Sequence, residues 1–375
     1  MSYHRWFISF SLIAMCALTT LGLSACGEKE PMRIGYVGSV SGRTADLGIG
    51  GRNGVQLAVE QLNAKGGVDG HLVELLLKDD ENDPVKAQQV VKELIEARVE
   101  AIVGPMTSNM ALAVVPLATA AGVLMIAPSV ASNDLSGKDD QFFRVIADSA
   151  FHATGMVRFL LDKRQVKTLN VVLEMGNKAY TESWFSSFEK SYANAGGKVG
   201  KVVRYAATMD VDFSKLAAAA LEGQPEGVVL ASSAVDAALF VNQFRQKQAG
   251  VQIFTTEWAG TGKLIELGGS NVEGVFAPQY FDRYNTAPAY VAFRSAYLQR
   301  FNQEPGFPAV TGFNAIQVVF SSLRARQGKE TLKQALLRVR VFDGLQETFS
   351  FDDFGDVQNL TFFTVIKDGR YLMVQ

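Results

Sequence analysis

From Met32 onward, short apolar and β-branched runs alternate with stretches whose apolar positions recur at helical spacing. Residues 33–38 predict a strand, and 51–64 predict a helix with Val55, Ala58, Val59 and Leu62 on one face. A second strand is expected over 72–77. The polar turn Asp79-Asp80-Glu81-Asn82-Asp83 then leads into Pro84, a residue suited to the first position of a helix, and Ala87, Val90, Val91, Leu94 and Ile95 supply that helix's buried stripe. The rhythm continues with a strand over 101–103, a helix over 108–121 and a strand over 123–126. A second series follows, with helices over 149–162 and around Trp184, Phe188 and Tyr192, and strands over 169–173 and 227–230. A helix over 235–246 and strands over 251–254 and 272–276 complete it. Strands alternating with helices predict two α/β lobes with mostly parallel sheets. Helical patterns over 288–302, 310–327 and 330–340, then strand-like runs over 347–351 and 360–366, invite chain crossings between the lobes.

Composition narrows the reading without changing it. A chain of 375 residues allows two or three domains, and 48% apolar with 20% charged residues is ordinary globular usage. The 36 Lys and Arg nearly balance 38 Asp and Glu, so no basic excess exists for a nucleic acid backbone, and nucleic acid is not an expected partner.

The N-terminus does add something. Residues 6–21 are apolar apart from Ser and Thr, follow one positive charge, and lead through Gly22 to Leu23-Ser24-Ala25-Cys26. Small residues before a cysteine resemble a bacterial lipoprotein signal: 1–25 as signal peptide, Cys26 as the acylated first mature residue, and 26–31 as a polar tether. An ordinary signal peptide with a chance cysteine and an uncut anchor are the alternatives. Under the lipoprotein reading Cys16 leaves with the signal and Cys26 carries lipid, so no disulfide is expected. Each buried acyl CH₂ contributes about 0.8 kcal/mol, which anchors the chain to a membrane outside the cytoplasm, on the periplasmic or outer face.

Catalytic constellations are weak. His71 and His152 are the histidines of the mature chain, lack metal-site spacing, and read as surface or loop residues. Gly260-Thr261-Gly262-Lys263 lacks both the upstream glycine and the hydroxyl of a phosphate loop. Gly48-Ile49-Gly50-Gly51-Arg52-Asn53-Gly54 lies about ten residues past the strand end where a dinucleotide fingerprint begins, leaving 39–47 as a loop able to touch a small ligand. No enzyme activity, cofactor or metal is expected.

Five elements carry a resemblance: Ile34-Gly35 through Ser41-Gly42; Leu62-Asn63-Ala64-Lys65-Gly66-Gly67-Val68-Asp69-Gly70; Asp79-Asp80 with Asp83-Pro84; Ile102-Val103-Gly104-Pro105 with Ser108; and Ile126-Ala127-Pro128-Ser129. In this order they resemble the leucine/isoleucine/valine-binding protein family, the type I periplasmic substrate-binding proteins of ABC importers. A weaker match runs through Glu257 and Leu267-Gly268-Gly269 to the C-terminus. The resemblance implies two doubly wound, Rossmann-like lobes joined by three hinge crossings, expected near Asp148, Pro278 and Gly344. Lobe 1 would then comprise 32–147 plus 279–344, and lobe 2 would comprise 148–278 plus 345–375.

The resemblance also implies site residues. Ser108 would meet a ligand carboxylate at a helix start, with a plain helix cap as the alternative. Ser129 and Ala131 would touch the same carboxylate, Ala131 through its backbone N–H because the family's threonine hydroxyl is missing. Tyr180 would lie against the ligand from the other lobe, and Glu257 would receive an α-ammonium group, since a carboxylate in a closed cleft needs a cation. Trp258 would be a pocket wall or a surface anchor. Ser233 and Leu47 stand where amino-acid binders carry aromatic residues, which departs from leucine or valine specificity. The implied function is capture of an amino acid or similar small carboxylate and delivery to an ABC transporter permease. The same fold also serves as a lipoprotein regulator or sensor, for example an activator of cell-wall synthesis.

Overall fold

Strands that are apolar on both faces must be covered on both sides, and that requirement organises the molecule. The computed structural model describes residues 29–208, 210–248, 250–358 and 361–374. The first sheet runs β2-β1-β3-β4-β5, all parallel, from β1 (Met32–Gly38), β2 (Val73–Asp79), β3 (Ala101–Val103), β4 (Leu124–Ala127) and β5 (Phe142–Arg144). Every residue of β3 and β4 is buried. Side chains alternate between faces: Ala101, Val103, Leu124 and Ile126 enter one cluster, and Ile102, Met125 and Ala127 enter another. Helices α1 (Ala45–Asn63), α2 (Pro84–Glu96) and α3 (Ser108–Ala121) connect these strands.

The second lobe repeats the plan. It contains β6 (Thr168–Glu174), β7 (Lys198–Tyr205), β8 (Gly227–Ala231), β9 (Gln252–Thr255) and β10 (Phe276–Gln279). The sheet order β14-β13-β10-β9-β8-β6-β7 gives its parallel part the same 2-1-3-4-5 winding as the first sheet, with β13 (Phe362–Lys367) and β14 (Arg370–Met373) added antiparallel at one edge. Its helices are α4 (Ser149–Arg158), continued by a π turn at Phe159–Lys163, then α5 (Lys178–Asn194), α6 (Phe213–Ala220), α7 (Ala234–Lys247) and the short α8 (Gly262–Gly268). In α5, Trp184, Phe188 and Tyr192 stack at successive i, i+4 steps, with centroids 4.7 and 5.1 Å apart.

After β10 the chain forms α9 (Pro288–Phe301), α10 (Phe307–Ala325) and α11 (Leu332–Val339), then the hairpin β11 (Val341–Asp343) and β12 (Thr348–Ser350). Helix α10 lies along α1, and glycines set that approach. A Cβ at Gly54 would collide with the Ala309 carbonyl, and one at Gly312 would come 2.6 Å from the Gly51 carbonyl. The glycine run that reads as a loop edge therefore lies inside α1, which starts six residues earlier than its apolar stripe suggests.

The chain passes between the lobes after β5, after β10 and again between β12 and β13. Arg144 N of β5 donates to Gly355 O at 3.1 Å, so residue 355 still lies against the first sheet. The fully buried Arg144 side chain clips the first and third crossings together, binding Asp356 Oδ1 at 2.6 Å.

Candidate ligand-binding site

In both sheets the chain reverses its winding between the first and third strands, at β1/β3 and β6/β8, and loops beyond the strand ends there leave a crevice. Here the two crevices face each other. An inner cavity is lined by Leu47, Met106 and Ser129 from the first lobe and by Asn177, Tyr180 and Trp258 from the second, with Tyr280 and Phe307 beyond the second crossing. Its volume is about 10 Å³, room for roughly one water. Trp258 also walls an outer cleft of about 360 Å³ that contains Arg43, Glu174, Ser233 and Asp236.

Leu47, Ser129, Tyr180 and Trp258 thus converge, and Glu257 borders them. Ser108 and Ala131 sit one layer behind. Ser108 opens α3 and is buried, but Thr107 is the cap residue. Ser108 Oγ accepts from Ala131 N at 3.3 Å and Ser132 N at 3.2 Å, which leaves its own proton to donate. The Ala131 N–H expected to face a ligand is therefore directed at Ser108. Ser129 Oγ donates to Met106 O at 2.6 Å. Ser233 stands in the outer cleft as the cap of α7, accepting from Asp236 N, so it is displaced from the inner cavity.

Glu257 is 1% exposed and begins a short 3-10 turn after β9. Tyr180 OH donates to its Oε2 at 3.5 Å, the outer limit of a hydrogen bond. Its Oε1 lies 3.5 Å from His152 Nδ1. His152 is not a surface histidine: it is fully buried, packed edge-on to Tyr280 with centroids 5.0 Å apart. Burial pulls its pKa down, against the opposing pull of Glu257, so the imidazole is neutral near pH 7. Its Nε2 lies 3.1 Å from Ala147 O and carries the proton there, while Thr361 Oγ1 donates to Nδ1 at 2.8 Å. Glu257 then faces a lone pair, and among the described residues no lysine or arginine pairs with it. Burial and the Glu257 charge also drive the phenols of Tyr180 and Tyr280 well above their ordinary values. Glu257 is thus a buried carboxyl group with no lysine or arginine partner among the described residues.

Asn109 and Asn177 were not legible as site residues. Asn177 Oδ1 accepts from Asn109 N at 3.1 Å, and Asn109 Oδ1 accepts from Ala179 N at 2.9 Å. Each asparagine caps the helix of the opposite lobe. Arg43 also crosses the cleft, reaching Asp236 Oδ1 at 2.5 Å and Thr208 O at 3.1 Å. The residue before a helix is a readable signal, but which helix it caps is not. Among the described residues no cluster of His, Cys, Asp and Glu could hold a metal, and no helix is long and apolar enough to cross a membrane. Residues 1–25 and Cys26 lie outside the described residues.

Two like-wound lobes, three crossings and a cavity between facing strand ends define a two-lobed solute-binding protein. The sequence profile of the periplasmic binding protein family matches residues 31–370. The chain belongs to this family, in its type I, leucine/isoleucine/valine-binding branch. It is 25% identical over 358 residues to the leucine-, isoleucine-, valine-, threonine-, and alanine-binding protein of Pseudomonas aeruginosa, covering 94% of this chain and 93% of that one. The branched-chain amino acid transporter substrate binding protein LivJ from Streptococcus pneumoniae, in complex with isoleucine, superposes with a TM-score of 0.85 at 23% identity, covering 92% of this chain and 99% of that one. A solute binding protein of an ABC transporter from R. palustris, in complex with benzoate, gives 0.83 at 21% identity over 92% and 95%.

Proposed function

We propose that the protein captures an amino acid between its lobes and delivers it to an ABC importer permease, held at the membrane by acyl chains on Cys26. The observation that carries this reading is Glu257, a buried carboxylate beside the cavity with a neutral histidine where a cation would stand. An α-ammonium group supplies that charge. Ser108, with a proton to donate, and Ser129, through its backbone N–H because its hydroxyl proton goes to Met106 O, form the carboxylate end, while Leu47, Trp258, Tyr280 and Phe307 enclose the ligand's body. A cavity of about 10 Å³ must widen as ligand enters, which hinged lobes permit. The names of the amino-acid-binding relatives support the ligand class. Benzoate, bound by the R. palustris relative, has a carboxylate and no amine, so Glu257 is the residue that decides between the two ligand classes here.

Calorimetry on Glu257→Gln tests the reading. A hydrogen bond to a charged group is worth about 1.5–3 kcal/mol, so amino-acid affinity should fall roughly tenfold or more while deaminated analogues lose little. Equal losses for both ligand classes would reject an amino-acid ligand. For the anchor, Cys26→Ser should move the protein from the membrane to the soluble fraction, and retention on the membrane would contradict lipidation.

A further inference from the structure

A second cavity, of about 630 Å³, lies beside the middle crossing and shares no lining residue with the inner cavity or the outer cleft. Its volume falls within the range of small-molecule sites, about 300–1,000 Å³. Its walls come from both sides of the hinge. The second lobe supplies the start of α8 and the start of β14 with Arg370 and Tyr371, while α9 and the loop after it supply Tyr290, Arg294 and Glu304. Arg283 stands on the crossing itself.

The charges here do not cancel. Arg294 is bound through two nitrogens to Glu304, at 2.8 and 2.5 Å, which neutralises both. Arg370 makes no side-chain hydrogen bond or ion pair among the described residues. The Arg283 guanidinium lies near two rings, 5.0 Å from the centroid of Phe281 and 4.8 Å from that of Tyr371. Among the described residues its nitrogens reach only neutral acceptors, Pro305 O at 3.5 Å and Gly260 O and Gln279 Oε1 at 3.4 Å, and its buried Nε–H has no partner. Long bonds to neutral acceptors compensate a guanidinium poorly. A guanidinium can lie against rings and still present its planar edge of N–H donors, which suits the paired oxygens of a carboxylate or phosphate. Burial pulling the Arg283 pKa down is consistent with a charge short of compensation.

We propose that this hinge cavity binds a small organic oxyanion, a carboxylate or a phosphate, between Arg283 and Arg370, with its body against the rings of Tyr290 and Tyr371. The site is separate from the cleft, and the inference does not depend on which solute the cleft takes.

Inorganic phosphate and succinate are the probes, titrated into the protein in separate calorimetric experiments. Saturable binding of at least one is expected, and the anion that binds identifies the class. Arg283→Gln and Arg370→Gln should each weaken it at least tenfold. Arg370 is exposed at the start of edge strand β14, so its substitution leaves folding intact should loss of Arg283 not. The proposal is overturned if neither anion binds saturably up to about 10 mM, or if binding is unchanged in Arg370→Gln. Binding that survives Arg370→Gln but is lost in Ser108→Ala places the anion in the cleft and equally overturns it.

Discussion

Asp80 follows β2 and is 1% exposed, with one carboxylate oxygen accepting from Asn82 N at 2.9 Å and the other without a partner. Burial, ahead of the neighbouring Asp79 charge, pushes its pKa up to about 6. A folded-state pKa above the unfolded one means the folded protein holds the proton more tightly. The resulting stability is fully present below about pH 4 and is lost as pH rises through 6. At pH 7.5 the buried carboxylate is ionised at a cost on the order of 1–3 kcal/mol, discounted for the amide that replaces it. Asp80→Asn should therefore raise the urea midpoint at pH 7.5 and lose that advantage near pH 4. An equal difference at both pH values would exclude ionisation as the cause. Asp80 shows what a sequence motif conveys at this scale: the paired acids point to a family, and only the fold shows which one is buried. Tyr180 and Glu257 are singled out by position, and the fold brings their side chains within 3.5 Å of each other. His152 was not legible, because its burial is made by Ala147, Tyr280, Glu257 and Thr361, which no spacing rule connects.

Among the elements, legibility follows burial. Strands β3, β4 and β8, apolar on both faces, and helix α3 appear in the sequence within a residue of their observed limits. Strand β7 escaped notice because it is a sheet edge, where Lys198, Lys201 and Arg204 face solvent and interrupt the apolar run, as edges that resist further pairing often do. Helix α6 buries only alanines, Ala217 and Ala220, and so carries little periodic contrast. Strand β5 has three residues and ends on the buried Arg144, a charge whose carboxylate partner, Asp356, is far along the chain. The early part of α1 was misread because glycine lowers helix propensity, by about 1 kcal/mol each. At Gly48, Gly51 and Gly54 that cost is offset by close approach of Ser39, Met106 and Ala309 respectively. This packing presents Leu47 from a helix rather than from a loop, which fixes the inner cavity's first-lobe wall.

For the molecule as a whole, the decisive property is how the lobes are held together. The contacts that cross the cleft are polar: the reciprocal asparagine caps, Asn133 N on Ser183 Oγ at 2.9 Å, Thr261 Oγ1 on Asp46 Oδ2 at 2.5 Å, and Arg43 on Asp236. Each exchanges with water when the lobes part, so its net contribution is only about 0.5–1.5 kcal/mol, which keeps closure reversible. The Arg43–Asp236 pair is the exception. Asp236 is fully buried and its other oxygen accepts from Tyr205 OH at 2.7 Å, so removing Arg43 strands a carboxylate in the closed posture. Arg43 remains about one-third exposed, which discounts the loss to roughly 1–2 kcal/mol. Apparent affinity scales with the fraction of molecules able to close, so Arg43→Ala should weaken ligand binding about five- to thirtyfold. It should also enlarge the radius of gyration of the ligand-free protein in small-angle scattering. Adding Asp236→Asn removes the stranded charge and should restore much of both quantities, because the two substitutions act on one interaction. If Arg43→Ala leaves both affinity and scattering unchanged, the pair does not govern closure.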